Sequence, residues 1–524
     1  MPSPLALAPV GLETVAALRA TVGDHPFVTF VAIAILWRVS YAVMHLAPRA
    51  ISDRTAATIG AIGISFYASI AIWYALVARS YYDFAEPTVA SIAWLFDRGL
   101  PIYHAIDAAE RYSHIYGPLA FMIPGWFFAA VGPSIVTSKI VGVLAGLISL
   151  IVVYATLRTA KTTSPAIALT GLFALLCLTF RNTSFWIRPD SFALLFASIA
   201  LLASVAGPRA LATLGVGLAG AVLVNLKFTG LLYALPAFAM VAMRFGASGI
   251  VTATLTTSIV AAMPFLAYDN VSFANYVAWV KVSAGNGVLW SLLRHNLEWT
   301  LFLLVPLIRS RWTPGAHLAL FIGVAMVVVA ASKPGAGPYH LLPFVPAVLY
   351  LVARSDAAAA VPPAFVAATL IIATLQQGYF VGVLTSADDA NVDAAGEVAA
   401  FVDANPRQAI AMGYANAGER WTYVRPVIVF RTGQYPIDAP AVQEFQMSGM
   451  TIPPATIDAL QHCDTRIWLM PKGATPFAGP NKYPSMQQAP LFPDMFTRAF
   501  LILYEHDAAR DLPDFDVWRC RGAR

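Results

Sequence analysis

Two carboxylates stand close together at the end of a long apolar run. Asp83 and Glu86 lie three residues apart in YYDFAEP, and Pro87 can occupy the first turn of a following helix. Both have ordinary structural uses there, Asp83 as an N-cap and Glu86 as an acid of the first helical turn. The alternative use is catalytic, because a carboxylate held in a structured loop is a natural general base for a hydroxyl group.

Cationic side chains recur in three later loops between apolar runs. Arg188 and Asp190 lie in RNTSFWIRPDS, Lys227 in NLKFTG, and Lys333 and His340 in KPGAGPYH. The structural interpretations are an Arg–Asp pair at a helix start, a snorkelling lysine and a plain turn with an interfacial tyrosine. The functional interpretation is that the cations bind an anion while Asp190 and His340 contact substrate. Such a set suits a phosphorylated lipid head group and a hydroxyl to be activated.

The composition indicates that this chemistry takes place at a membrane. Of 524 residues, 58% are hydrophobic and 12% are charged, whereas an ordinary soluble domain has about 25% charged residues. The mean hydropathy of +0.67 excludes a cytosolic enzyme, a disordered tail and a fibrous protein. A formal net charge of +5 gives no support to nucleic-acid binding. The chain is predicted to be a polytopic membrane protein.

Apolar runs long enough to span a bilayer fill residues 1–387, and we predict about 11–13 transmembrane helices there. Whether the N-terminal run 26–46 spans is left open. The run 117–132 is short and contains Pro124, which favours an interfacial or re-entrant helix over a crossing one. Residues 81–133 would then form one large outer loop with interfacial helices. The runs lie near 26–46, 57–79, 134–157, 165–180, 191–206, 210–226, 228–244, 250–268, 297–310, 316–332, 340–353 and 362–384.

Residues 388–524 have a different pattern, an amphipathic helix followed by short β-type runs, which predicts a small α/β domain. We predict strands near 410–413, 427–430, 466–470, 500–504 and 514–520. Loops that are short and basic alternate with loops that are longer or contain acids, which places this domain outside a plasma (inner) membrane, in the periplasm or its equivalent. There Cys463 and Cys520 can form one disulfide, a pairing that the sequence leaves open.

Several other enzyme classes lack their signatures in this sequence. No Walker-type GxxxxGK[ST] loop, HExxH, CxxC or GxSxG motif is present. The histidines are scattered without metal-ligand spacing. A divalent cation such as Mg or Mn is therefore neither required nor excluded.

The order of these features resembles the GT-C superfamily of membrane glycosyltransferases that use polyprenyl-phosphate sugars. The nearest branch contains the protein mannosyltransferases and the lipid A aminoarabinose transferase. Family members often have adjacent Asp and Glu at the loop start, whereas Asp83 and Glu86 are separated here, which leaves open which one is the base. The resemblance is carried by Asp83 with Glu86, GLPIY (99–103), YGPL (116–119), Arg188-Pro-Asp190, Lys227, KPGAGPYHLLPFVP and the closing soluble domain.

The resemblance implies an inverting transfer of a sugar from a polyprenyl-phosphate donor to an acceptor hydroxyl on the outer membrane face. It implies Asp83 as the base, and Lys227, Arg188 and Lys333 on the donor phosphate. Tyr103 and Tyr116 would border the groove for the lipid, although membrane-interface belts are the commoner use of such aromatics. The acceptor is a lipid, a glycan or a protein, and membrane lipids surround the helices.

Two other classes of function compete with this one. A transporter or flippase for a lipid-linked substrate predicts ionisable residues near the bilayer midplane, whereas most here fall at one interface. A non-catalytic membrane protein whose outer domain binds a partner predicts that changing Asp83 leaves function intact.

Overall fold

The computed structural model describes residues 53–110, 112, 114–355, 363–415, 423–479 and 489–522. The predicted run 26–46 lies outside these residues. The chain divides into two compact units. The helical unit is Met1–Val77, Gly142–Ala261 and Val288–Val383, and the mixed unit is Ala78–Val141, Ala262–Gly287 and Leu384–Arg524. The mixed unit thus joins most of the predicted outer loop to the predicted C-terminal domain.

Helices dominate the described part of the chain, as predicted. Apolar runs interrupted by Pro, Gly and polar residues produce separate helices because those residues end helices or begin new ones. The helices are α1 Asp53–Leu76, α2 Ala85–Asp97, α3 Leu119–Val131, α4 Ile135–Arg158, α5 Thr163–Thr179, α6 Pro189–Ala206, α7 Arg209–Leu226, α8 Leu231–Ala267, α9 Phe273–Ala284, α10 Trp290–Leu304, α11 Pro314–Ala330, α12 Val345–Ala353, α13 Pro363–Ala404, α14 Arg425–Thr432, α15 Ala439–Met447, α16 Pro454–Gln461 and α17 Asp494–Leu503. Short 3-10 turns lie at Arg181–Ser184, Val305–Arg309, Pro338–Phe344 and Ala508–Arg510.

Within the described residues, six helices are long and apolar enough to cross a membrane: α1, α4, α6, α7, α8 and the segment 365–387 of α13. Four shorter apolar segments accompany them, namely Leu119–Val131, Thr163–Thr179, Pro314–Ala330 and Pro338–Ala353. The prediction of a multi-pass, mainly helical membrane protein is confirmed. The predicted runs 228–244 and 250–268 correspond to two helical stretches within Leu231–Ala267. They are separated at Gly246, whose φ of 68° and ψ of -161° are non-helical and are a conformation that glycine adopts without strain.

Helix α3 contains 13 residues and is therefore about 20 Å long, shorter than the roughly 30 Å hydrocarbon core of a bilayer. It packs in the mixed unit against α2. Gly125 makes this contact close, because a Cβ there would lie 2.8 Å from the carbonyl oxygen of Ala93. The length agrees with a helix that does not cross.

A four-stranded sheet closes the mixed unit, in the order β1-β2-β4-β3. The first pair is parallel, with Ile410 opposite Ile467, and the other pairs are antiparallel. One core cluster centres on Trp468, Phe477 and Phe500, and a second packs β-strand residues against α13. The strands are β1 Ile410–Met412, β2 Ile467–Pro471, β3 Tyr504–His506 and β4 Phe515–Cys520. Cys463 and Cys520 are joined by a disulfide.

Two strand predictions are wrong. Residues 427–430 form part of α14, which has Pro426 in its first turn and is followed by Gly433 with φ 68°, so both ends carry helix signals that outweigh the β-branched run. Residues 500–503 end α17, because Phe496 and Phe500 bury one helical face, and β3 begins only at Tyr504.

Candidate active site

Asp83 and Glu86 both bind backbone amides at the start of α2 in the mixed unit. Glu86 is 0% exposed, and its Oε1 accepts hydrogen bonds from the N–H groups of Tyr82 (3.2 Å) and Asp83 (3.1 Å). Oδ1 of the half-buried Asp83 accepts one from the N–H of Ala85 at 2.9 Å. The amide of Ala85 is one that a helix start leaves without an intrahelical partner, and the amides of Tyr82 and Asp83 lie just before the helix. Asp83 is the one of the pair with accessible surface for a substrate hydroxyl.

The chain that leads to Asp83 is held by the first turns of α4. The hydroxyls of Tyr81 and Ser138 are 2.7 Å apart. Lys139 is buried, and its Nζ donates to the carbonyl oxygens of Ala78 and Ser80. A buried ammonium needs such acceptors. Sequence reasoning missed Lys139, although a lysine inside an apolar run is a signal of function or positioning.

Tyr103 and Tyr116 lie inside the packed loop of the mixed unit. The hydroxyl of Tyr103 donates to the carbonyl oxygen of Tyr116 at 2.6 Å, and its ring contacts that of Tyr276 at 5.1 Å. Both tyrosines are buried. Their contact with a lipid substrate stays a prediction.

The helical unit brings together cations from loops that are far apart in sequence. Asp190 is 1% exposed. Nζ of Lys227 lies 2.5 Å from its Oδ1, and Nε of Arg188 lies 3.9 Å from its Oδ2. Asp190 sits in the first turn of α6, and Lys227 follows the last residue of α7. Because only Gly207 and Pro208 connect these helices, α7 runs back along α6 and its end reaches the start of α6.

The third loop completes this cluster. The hydroxyl of Tyr339 accepts from Nη2 of Arg188 at 3.0 Å and donates to the carbonyl oxygen of Gly335 at 3.2 Å. Nδ1 of His340 lies 3.3 Å from Nζ of Lys227. Lys333 lies in the same Gly/Pro loop, half-buried, and its carbonyl oxygen accepts from Ala336 at 3.1 Å. We call Arg188, Asp190, Lys227, Tyr339 and His340 the cation cluster.

The net charge of the cation cluster favours a bound anion. Arg188, Lys227 and Asp190 together carry one net positive charge. Burying charge without compensation is costly, so closely spaced cations in a buried setting favour a bound anion. The guanidinium of Arg188 also stacks on the ring of Trp186, 4.2 Å from its centroid, which fixes its plane. Sequence reasoning identified the charged members but not Trp186, and treated Tyr339 only as an interfacial anchor.

One group of side chains in the mixed unit has the donor types of a cation site. His506, Asp511 and Asp516 place ligand atoms within 4.8 Å of one another. Nζ of Lys472 lies 3.0 Å from Asp511 and 3.4 Å from Asp516, so an ammonium already compensates these carboxylates. A role for Mg or Mn in the reaction stays a prediction.

The solved structures that are similar to this chain include two of one protein. ArnT from Cupriavidus metallidurans bound to undecaprenyl phosphate matches with a TM-score of 0.51 and 13% identity, over 87% of this chain and 97% of that chain. The same ArnT in the apo state matches with a TM-score of 0.49 and 12% identity over the same shares. No protein-family model and no curated protein sequence matches the chain. The first likeness, at 13% identity, establishes the fold alone: this chain has the helical membrane fold of that ArnT structure.

Proposed function

We propose that the protein is a membrane glycosyltransferase that transfers a sugar from a polyprenyl-phosphate donor to an acceptor hydroxyl, with inversion at the anomeric carbon. The observation that carries the proposal is the buried cation cluster, in which Arg188 and Lys227 share Asp190. The fold supports it, because the chain shares that fold with an ArnT whose crystal structure holds undecaprenyl phosphate.

The proposed step needs a base and a stabilised leaving group. The acceptor oxygen attacks the anomeric carbon, and the bond from that carbon to the phosphate oxygen breaks with its electron pair left on the phosphate. The acceptor proton passes to Asp83. Lys227 and Arg188 stabilise the charge on the departing polyprenyl phosphate, and this interaction strengthens as the charge develops.

The other predicted residues take supporting roles in this proposal. Lys333 adds a cation for the donor phosphate, and His340 contacts the donor head group. Asp190 orients Lys227 and Arg188. The reaction takes place at the outer face of the inner membrane, where a lipid, glycan or protein acceptor meets a donor held by its lipid tail.

Binding of undecaprenyl phosphate to the purified protein tests the cation cluster without knowledge of the sugar or the acceptor. Lys227→Met and Arg188→Gln are expected to weaken binding at least tenfold, because each removes a charge-assisted contact. Lys281→Ala is the matched control, since Lys281 is an exposed lysine of α9, and it should bind as the wild type does. Equal binding by all four proteins would contradict the proposal.

A second measurement separates transfer from transport. Membranes that contain the protein and a labelled polyprenyl-phosphate sugar should release unsugared polyprenyl phosphate while the label enters an acceptor. Passage of the intact donor across vesicle membranes without such release would identify a flippase instead.

A further inference from the structure

A second buried polar cluster lies in the mixed unit, and its residues are far in sequence from those of the cation cluster. Asp438 is 0% exposed, and its Oδ1 accepts a hydrogen bond from the hydroxyl of Tyr435. Nη1 of the buried Arg425 lies 3.9 Å from the same oxygen, and the Arg425 guanidinium lies 4.0 Å from the ring centroid of Tyr414. Oδ2 of Asp438 accepts from the N–H of Ala441 at 3.4 Å and so caps α15. We call Asp438, Arg425, Tyr435 and Tyr414 the Asp438 cluster.

The Asp438 cluster reaches the helix that begins beside the proposed base. The hydroxyl of Thr88 donates to Oδ1 of Asp438 at 2.9 Å, and Thr88 is buried in the first turn of α2. Asp83 and Glu86 bind the amides of that same helix start. Two further contacts support this junction: the ring of Tyr112 stacks on Tyr435 at 5.4 Å, and the hydroxyl of Tyr423 donates to the carbonyl oxygen of Tyr82 at 3.4 Å.

Stability alone does not account for these buried charges. Replacement of a buried ion pair by apolar residues of similar volume is often neutral or stabilising. The hydrogen bonds that the Asp438 carboxylate accepts from Tyr435, Thr88 and Ala441 instead favour one arrangement of the elements that they join. Here the joined elements are α15, α14 and the start of α2.

We propose that Asp438 and Thr88 are positioning residues, through which the C-terminal domain fixes the start of α2 and thereby the direction in which Asp83 meets the acceptor hydroxyl. This inference rests on the proposed function. It assigns the C-terminal domain a part in turnover without placing any of its groups on the substrate.

The protonation state of Asp438 predicts a pH dependence of turnover by which the inference can be tested. Burial raises the pKa of Asp438 to about 6, against the opposing effects of Arg425 and of the hydrogen bonds from Tyr435 and Thr88. The titratable or charged groups that face it are Arg425, Tyr435 and Tyr414. Burial raises the pKa of both tyrosines far above their ordinary range, so neither titrates near pH 6. Protonated Asp438 loses its charge interaction with Arg425 and accepts a weaker bond from Thr88, so turnover should fall as the pH drops through about 6.

Thr88→Val tests the inference, because it removes the hydroxyl and nearly preserves the shape. We expect kcat to fall about tenfold or more, since small misplacement of a catalytic group is costly, with KM for the donor unchanged. The acid limb of the pH profile should move to higher pH, because the lost hydrogen bond had lowered the pKa of Asp438. Thr88→Ser keeps the hydroxyl and should restore both. Ser91→Ala is the control on the same helix, since Ser91 is also buried and its Oγ has no hydrogen-bond partner in the described residues.

Tyr435→Phe provides a second variant if Thr88→Val does not fold. It removes the other hydroxyl that donates to Asp438, so the acid limb should move in the same direction. Wild-type kcat and an unmoved acid limb in the folded variant overturn the inference. Asp83→Asn, measured in the same assay, separates the two proposals. If Asp83→Asn is inactive and Thr88→Val transfers sugar at the wild-type rate, only the inference fails. If Asp83→Asn transfers sugar at the wild-type rate, the proposed mechanism itself fails.

Discussion

Asp83 and Glu86 are both carboxylates, and the structure distinguishes them by their surroundings. Glu86 is fully buried with two backbone amides on one oxygen, whereas Asp83 is half-buried with one amide on Oδ1. The sequence could not separate them, because both carboxylates follow a helix end and both suit the start of the next helix. Burial supports Asp83 as the base and Glu86 as a residue that shapes the loop.

Glu86→Gln should therefore retain most of the transfer activity. The glutamine carbonyl oxygen can accept the same bonds from the amides of Tyr82 and Asp83, although a neutral acceptor binds them less strongly than a carboxylate. We expect a loss of no more than about tenfold in kcat together with a lower thermal midpoint. Activity as low as that of Asp83→Asn, in a folded protein, would make Glu86 the base.

The pKa of Asp438 also predicts how stability depends on pH. Because its folded pKa is about 6 and its ordinary value is 3.8, the folded state binds the proton more tightly. The associated stabilisation is present below about pH 4 and is lost as the pH rises through about 6, and it amounts to about 3 kcal/mol. Asp438→Asn should remove this slope from the thermal midpoint measured between pH 4 and 7, while Ser91→Ala keeps it. An identical slope in Asp438→Asn would assign the titration to another group.

At the scale of elements, the sequence predicts the charged site residues separately for each loop, namely Arg188, Asp190, Lys227 and His340. Their meeting depends on the α6–α7 hairpin and on the Gly/Pro loop before Pro338, which short apolar runs do not specify. The Asp438 cluster had no sequence signal, since Arg425 and Asp438 flank a run that looked like a strand. The helices and three of the five predicted strands follow from periodicity and end signals, whereas side-chain networks between elements do not.

A substitution at Gly230 tests whether the packing of the turn after Lys227 against α7 positions that lysine. A Cβ at Gly230 would lie 1.8 Å from the carbonyl oxygen of Leu223 in α7, so Gly230→Ala must move α7 or the turn after Lys227. We expect a lower thermal midpoint and weaker binding of undecaprenyl phosphate. Gly378→Ala is the matched control, because nothing lies within 4 Å of a Cβ there and alanine favours a helix. Comparable behaviour of the two variants would contradict this packing argument.

At the scale of the whole molecule, the described residues contain six apolar helices of spanning length and a mixed unit that holds the polar chemistry of the first loop. The division of the chain into a membrane domain 1–387 and an outer domain 388–524 stays a prediction, as does the side on which each loop lies. Loop charge and length are the physical basis for that orientation.

Topology can be measured with an impermeant thiol reagent in intact cells. Asp107→Cys in the first loop and Arg498→Cys in α17 should both be labelled, because we place both segments outside. Ala210→Cys, in the first turn of α7 beside the short connection from α6, should be labelled only after the cells are permeabilised. All three positions are exposed, and Cys463 and Cys520 are paired while Cys177 is buried. Labelling of only one of the first two positions would break the predicted alternation.

The most direct test of the central claim is transfer of a labelled sugar from a polyprenyl-phosphate donor, in membranes that contain equal amounts of wild-type or Asp83→Asn protein. We predict that the wild type moves label into an acceptor and that Asp83→Asn does so about 10² to 10⁴ times more slowly, as expected for loss of a general base. Undecaprenyl phosphate should bind both proteins alike, since Asp83 belongs to the acceptor side of the reaction. Equal transfer by the two proteins would contradict Asp83 as the base, and no transfer by the wild type, with intact donor recovered, would contradict the glycosyltransferase.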